Sequence, residues 1–164
     1  MAQLNIVLGL GSNLGDRLAN LRRASSELEA SKGITTVRRS NVVESEAVGG
    51  PPQPDYLNAA VLVETALTPA ELLARARSIE ALLGRVRPDP ERWGPRTIDI
   101  DLLWARGLVI DEADLELPHP RLIDRAFALQ PLLELVPDAS DPCTGLRYGD
   151  LPAASWVLRK VAAL

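Results

Sequence analysis

The chain has 164 residues, 46% apolar and 24% charged, a composition that suits one globular domain spanning residues 1–164 with a real core. A formal net charge of −4 argues against a general nucleic-acid or membrane-surface binder, and a single cysteine, Cys143, excludes an internal disulfide and a multi-cysteine zinc site. The first residues form no charged-then-apolar leader and no apolar run could span a bilayer, so a cytoplasmic protein is expected.

Leu4, Ile6, Leu8 and Leu10 alternate with Asn5, Val7 and Gly9 and predict a strand. Residues 11–16, Gly-Ser-Asn-Leu-Gly-Asp, predict a turn into a helix with Leu14, Leu18, Leu21 and Leu28 on one stripe. The glycines at 9, 11 and 15 miss the spacing of a dinucleotide fingerprint, and no Gly-Lys-Ser/Thr follows for a P-loop. They read as a strand-to-helix turn that also lets backbone approach a ligand. Residues 34–43 predict a second strand, and Gly49 to Pro54 an irregular loop. Residues 56–64 predict a third strand, with Leu57, Ala59, Val61 and Val63 on one face and Tyr56, Asn58, Ala60 and Leu62 on the other.

Thr68-Pro69-Ala70-Glu71 opens a helix as a capping box, with Pro69 in the first helical position. Leu72, Leu73, Ala76, Ile79, Leu82 and Leu83 supply its apolar face, and Gly84 ends it. Residues 85–95 form a second irregular loop before a strand at 97–104. The order β-α-β-β-α-β predicts an α+β sheet with helices on one side. Arg106-Gly107 turns the chain into a short strand at 108–110. A helix follows at 125–135, which Pro131 interrupts or restarts, and one more short helix is expected at 151–164.

The chemistry concentrates at 85–101. Ile98, Ile100, Leu102 and Leu103 mark a buried strand, in which Asp99 and Asp101 point the same way. Two like charges on one buried face repel and resist desolvation, so a cation belongs between them. Arg92 and Arg96 are one candidate and a divalent metal is the other; Mg²⁺ is typically held by one or two carboxylates plus substrate phosphates. Arg85, Arg87, Arg92 and Arg96 suit bidentate grip on a polyphosphate. A regular strand would aim Arg96 away from the aspartates, so if it serves the same site it must lie before the strand proper or on the loop. His119, held between Pro118 and Pro120, suits a rigid ligand contact or a structural role. Tyr56, on the same strand face as Asn58, could clamp a ring together with Phe127, the only Phe, or both could be core.

With Asp55-Tyr56-Leu57-Asn58-Ala59, Gly84-Arg85-Val86-Arg87, Arg92-Trp93-Gly94-Pro95-Arg96-Thr97-Ile98-Asp99-Ile100-Asp101 and Pro118-His119-Pro120 in order, the chain resembles the 6-hydroxymethyl-7,8-dihydropterin pyrophosphokinases of folate biosynthesis over residues 9–137. The resemblance implies a ferredoxin-like βαββαβ antiparallel sheet with helices packed on it, here followed by a C-terminal helical extension. It implies Mg²⁺-dependent transfer of the diphosphoryl group of ATP to the pterin's hydroxymethyl oxygen, with AMP released and two ions bound. Carried over to this chain, Asp99 and Asp101 would hold both metals. Arg85, Arg87, Arg96 and Arg125 would face the ATP phosphates, with Arg85 and Arg96 catalytic beside the aspartates. Glu80, Trp93 and His119 would complete the ATP site. Tyr56 and Phe127 would sandwich the pterin, Asn58 would bond its polar edge, and the backbone near Ser45 to Val48 would close the pocket. The chain departs from the family with Ser45 for the usual Thr, Ala47 for a usual Pro, and two prolines, Pro88 and Pro90, in the second loop.

The competing readings are another Mg²⁺-dependent nucleotidyl or phosphoryl transferase and a non-catalytic ferredoxin-like module binding RNA or a small ligand. The acidic balance and six aromatics weigh against RNA stacking. The expected partners are therefore small molecules, with no nucleic acid and no membrane, and the absence of an exposed heptad points to a monomer.

Overall fold

The computed structural model describes residues 2–164. In chain order it contains β1 (Leu4–Ser12), α1 (Arg17–Ala30), β2 (Ile34–Arg39), β3 (Asn41–Ser45), β4 (Tyr56–Thr65), α2 (Pro69–Leu82) and β5 (Asp99–Ala105). A hairpin of β6 (Ile110–Glu112) and β7 (Leu115–Leu117) follows, then α3 (Ala126–Leu135) and β8 (Arg159–Ala163). The main sheet is antiparallel in the order β5-β1-β4-β3-β8, and β2 also pairs with β4.

Strand alternation decides what lies on each face. Ile6, Leu8, Leu57, Val61, Val63 and Ile100 pack against Leu21, Ala24 and Leu28 of α1 and Leu72, Ala76 and Ile79 of α2. Val7, Ala60, Leu103 and Trp104 pack against Leu129, Leu132 and Leu135 of α3. The predicted faces of β4 and the Thr68–Glu71 capping box are both present. Only α1 and α2 share a side; α3 covers the opposite one, so the sheet lies between two helical layers.

Several expectations are corrected. The strand at 34–43 is two strands joined by a kink at Ser40. Its N–H donates to the Ala60 carbonyl (2.9 Å) and its hydroxyl accepts from the Ala60 N–H (2.8 Å), so the pairing survives the bend. β1 continues through Gly11 and Ser12, and α1 starts only at Arg17, capped by the Asp16 carboxylate. Leu82 is exposed because it lies on the outer side of the last turn of α2, whose inner side is filled by Ile79 and Leu83. The short strand lies at 110–112, in a hairpin separate from the main sheet. α3 is continuous through Pro131, which is buried; the missing N–H removes one bond in a ten-residue helix whose apolar face is held by packing. The chain end is not a helix. Pro152–Ser155 makes one 3-10 turn, and β8 then covers the β3 edge, whose backbone would otherwise lack partners. Among the described residues no helix is long and apolar enough to cross a membrane.

Candidate active site

Across the sheet, Asp99 faces Gly11, which in turn faces Asn58; one row on, Asp101 faces Gly9, which faces Ala60. The two glycines make a trough between the carboxylates and the β4 side chains. A Cβ at Gly11 would lie 3.1 Å from Asn58 Oδ1, and one at Gly9 would lie 3.0 Å from the Leu103 side chain. Gly9 and Gly11 thus border the site from within β1, while Gly15, with φ of +70°, lies in the turn before α1. Above the trough is a cavity of about 160 Å³, lined by Ser45, Val48, Tyr56, Asn58, Trp93 and Phe127 together with Arg96, Arg125 and both aspartates. A second cavity, of about 270 Å³, lies between α2 and the β6–β7 hairpin and is lined by Glu80 and Arg87 among others. Asp101 and His119 line both.

Glu80, 1% exposed, ties α2 to β5 by accepting from the Ile100 N–H (3.1 Å), and it pairs with Arg87 (2.6 Å) and Arg85 (3.2 Å). Arg85, its side chain 4% exposed, also grips Asp89 (3.2 Å) and Asp99 (2.5 Å). Arg96 stands ahead of β5, as the site requires, and bridges Asp89 (2.9 Å) and Asp99 (3.2 Å). Burial disfavours the charge on Asp89, yet Arg85 and Arg96 hold its carboxyl below the usual range.

Asp101 is different. It forms no ion pair among the described residues, and burial, then the charges of Asp99 and Glu80, push its carboxyl up to about 7. His119 Nδ1 accepts from the Arg121 N–H (3.2 Å), which puts the ring proton of a neutral imidazole on Nε2. Burial, then Arg125, lowers its pKa and favours that neutral form.

The donor set suits a hard cation. Two carboxylates share a face, and the charge of one is uncompensated. No cluster of three or more His, Cys, Asp or Glu among the described residues could enclose a metal alone, so other ligands would have to come from phosphate and water.

The structure gathers the predicted residues with three revisions. Trp93, expected with the ATP group, lines the first cavity beside Tyr56 and Phe127. Arg92 is not the counter-ion of the aspartates; it stacks on Trp93 at 4.9 Å, and Arg85 and Arg96 take that role. Arg85 lies beneath Asp99 and lines neither cavity. The Ser45 hydroxyl accepts from Asn58 Nδ2 (2.9 Å), and Arg125 lies 5.6 Å from the Phe127 ring centre. Sequence reasoning missed Asp89, Arg121, Asn13 and Gln53. Asp89, an acid between two prolines amid arginines, offered a signal; Gln53, inside a Pro-rich loop, offered none.

Residues 7–137 match the model of the family described as 7,8-dihydro-6-hydroxymethylpterin-pyrophosphokinase (HPPK). A 2-amino-4-hydroxy-6-hydroxymethyldihydropteridine pyrophosphokinase of Methylorubrum extorquens is 49% identical over 80% of this chain and 82% of that protein. Proteins of the same name from Synechocystis and Bacillus subtilis are 45% and 40% identical, over 85% and 91% of this chain and 70% and 88% of theirs. Among solved structures, wild-type Plasmodium falciparum HPPK-DHPS superposes with a TM-score of 0.66 over 90% of this chain at 14% identity, a likeness of fold. This chain spans 44% of that polypeptide.

Proposed function

The chain belongs to the 7,8-dihydro-6-hydroxymethylpterin-pyrophosphokinase family, and from that premise we propose how its site divides the work. The protein is an ATP-dependent pyrophosphokinase of folate biosynthesis. The reading is carried by the two cavities that meet at Asp101 and His119. We assign the first to the pterin: Tyr56, Phe127 and Trp93 face the ring, and Asn58, tied to Ser45, meets its polar edge. The second takes the nucleotide, with Glu80 orienting Arg87 and His119 Nε2–H directed to a phosphate oxygen. The strand order β5-β1-β4 followed by β2 and β3 is read as the ferredoxin-like frame, which sets both cavities on either side of one pair of carboxylates. We take the protein to be a cytoplasmic monomer that binds neither nucleic acid nor membrane.

Diphosphoryl transfer asks a protein mainly for alignment and charge neutralisation. Asp99 and Asp101 would hold two Mg²⁺ ions, which would neutralise charge on the transferred group and on the departing AMP. Arg96 and Arg125, at the edge of the first cavity, would face the phosphates from the acceptor side. Arg85 and Arg96 pair with Asp99 and orient it, Asp89 keeps both arginines in place, and the glycine trough leaves room for the pterin's hydroxymethyl oxygen beside the carboxylates.

Phosphorus NMR of a reaction with ATP, Mg²⁺ and 6-hydroxymethyl-7,8-dihydropterin should show AMP and a pterin diphosphate. ADP or free pyrophosphate as the product would favour another phosphoryl or nucleotidyl transfer. Phe127→Ala should weaken pterin binding by ~1–3 kcal/mol, the worth of one stacked ring, and leave ATP binding nearly unchanged. Equal losses for both ligands by calorimetry would make Phe127 a core residue.

A further inference from the structure

Of the arginines that line the first cavity, Arg96 is paired with Asp89 and Asp99. Arg121 and Arg125 line it too and form no ion pair among the described residues. Each rests on a ring instead. The Arg125 guanidinium lies 5.6 Å from the Phe127 ring centre, and that of Arg121 lies 5.9 Å from the Trp93 ring centre. The two cations feel each other: burial, then the charge of Arg121, lowers the Arg125 pKa. The carboxylates of the same cavity leave both unanswered. Asp99 is gripped by Arg85 and Arg96, and neither Asp101 nor Glu46 lies within ion-pair distance of Arg121 or Arg125.

Two unanswered guanidiniums suit an anion, yet the pterin assigned to this cavity carries no anionic group. Arg121 is also anchored where the two cavities meet. Its backbone N–H donates to Nδ1 of His119 (3.2 Å), a residue that lines both cavities. Arg121 itself borders the first cavity and not the second. A diphosphoryl group that crosses this junction arrives on the pterin's hydroxymethyl oxygen. Its phosphate oxygens then belong to a ligand of the first cavity, where a guanidinium can grip them in bidentate fashion.

We propose that Arg121, beside Arg125, is a binding residue for the diphosphate of the product: it holds the pterin diphosphate in the first cavity and adds little to the binding of the unmodified pterin or of ATP. The proposal rests on the assignment of the first cavity to the pterin. Arg121 thereby tells product from substrate in one cavity, by the charge that transfer has added.

The test is calorimetry with Mg²⁺ and three ligands: the pterin, the pterin diphosphate and a non-hydrolysable ATP analogue. The proteins are the wild type, Arg121→Met, Arg121→Lys and Arg92→Met. The wild type should bind the pterin diphosphate more tightly than the pterin. Arg121→Met removes the charge and should weaken the pterin diphosphate at least ~10-fold, the scale of one charge-assisted hydrogen bond. It should change the pterin and the analogue less than ~3-fold. Arg121→Lys keeps the charge without the fork and should fall between. Arg92→Met removes a nearby charge that borders neither cavity, and should leave the product affinity close to that of the wild type. A wild type that binds both pterins alike, or an unchanged product affinity in Arg121→Met, overturns the proposal. So do equal losses for the pterin diphosphate and the analogue, which would make Arg121 a nucleotide residue. Equal losses for all three ligands, with a lower melting temperature, would make it structural and overturn the proposal too. A wild type that binds neither pterin overturns the assignment of the cavity itself.

Discussion

Asp99→Asn and Asp101→Asn should each lower turnover at least ~100-fold with the fold intact, the scale of losing a strong electrostatic stabiliser. Asparagine keeps the shape and removes the charge that a hard cation requires. The two variants should differ in stability. Asp99 is compensated by Arg85 and Arg96, so its neutralisation takes one carboxylate partner from each guanidinium and should destabilise the fold. Asp101 has no such partner, and its carboxyl is raised from the ordinary 3.8 to about 7, chiefly by burial. A carboxyl raised on folding binds more protons in the folded state, so stability should fall as pH rises from about 4 to about 7 and level off above. Without Mg²⁺, Asp101→Asn should therefore be more stable than the wild type at pH 8, by at least ~1 kcal/mol, because each tenfold change in proton affinity is worth ~1.4 kcal/mol. The two should converge near pH 4. Urea unfolding across that range checks the stability, and steady-state rates at saturating Mg²⁺ check the turnover. Near-normal turnover in both variants would remove the aspartates from the metal site.

Arg85→Met should be severe in both function and folding. The guanidinium is almost wholly buried and touches Glu80, Asp89 and Asp99, so its removal takes one counter-ion from each, leaving the buried Glu80 to Arg87 alone and Asp89 and Asp99 to Arg96 alone. Breaking a buried pair from one side costs about 3–5 kcal/mol. Unfolding free energy should drop by about that amount, and turnover by at least ~100-fold, because Asp99 loses its orientation. Combining the change with Glu80→Gln should cost less than the sum of the two, since each removes the other's partner. Strict additivity in urea unfolding, or turnover within a few-fold of wild type, would show that Arg85 is not the centre of the cluster.

Much of the molecule was legible in the sequence because it is written locally. Alternation along β4 fixed its two faces, Thr68–Glu71 fixed the start of α2, and the Asp99-Ile100-Asp101 spacing fixed both carboxylates on one side of β5. The position of Arg96 ahead of the strand followed from the same alternation. Tertiary structure decided everything that depended on partners distant in sequence. Whether 159–163 is helix or strand turned on the free edge of β3, more than a hundred residues away in the chain. Trp93 belongs to the first cavity because Gly49 and Gly50 make room for its ring. Which arginines answer Asp99 turned on the buried Glu80 of α2, which holds Arg85 and leaves Arg92 to stack on Trp93. Gln53 gained its partners only when the fold brought Asn13 and the Trp93 carbonyl within hydrogen-bond reach. Periodicity and capping depend on neighbours along the chain, so sequence alone determined them. Ion pairing, edge pairing and cavity membership depend on neighbours in space, which only folding supplies.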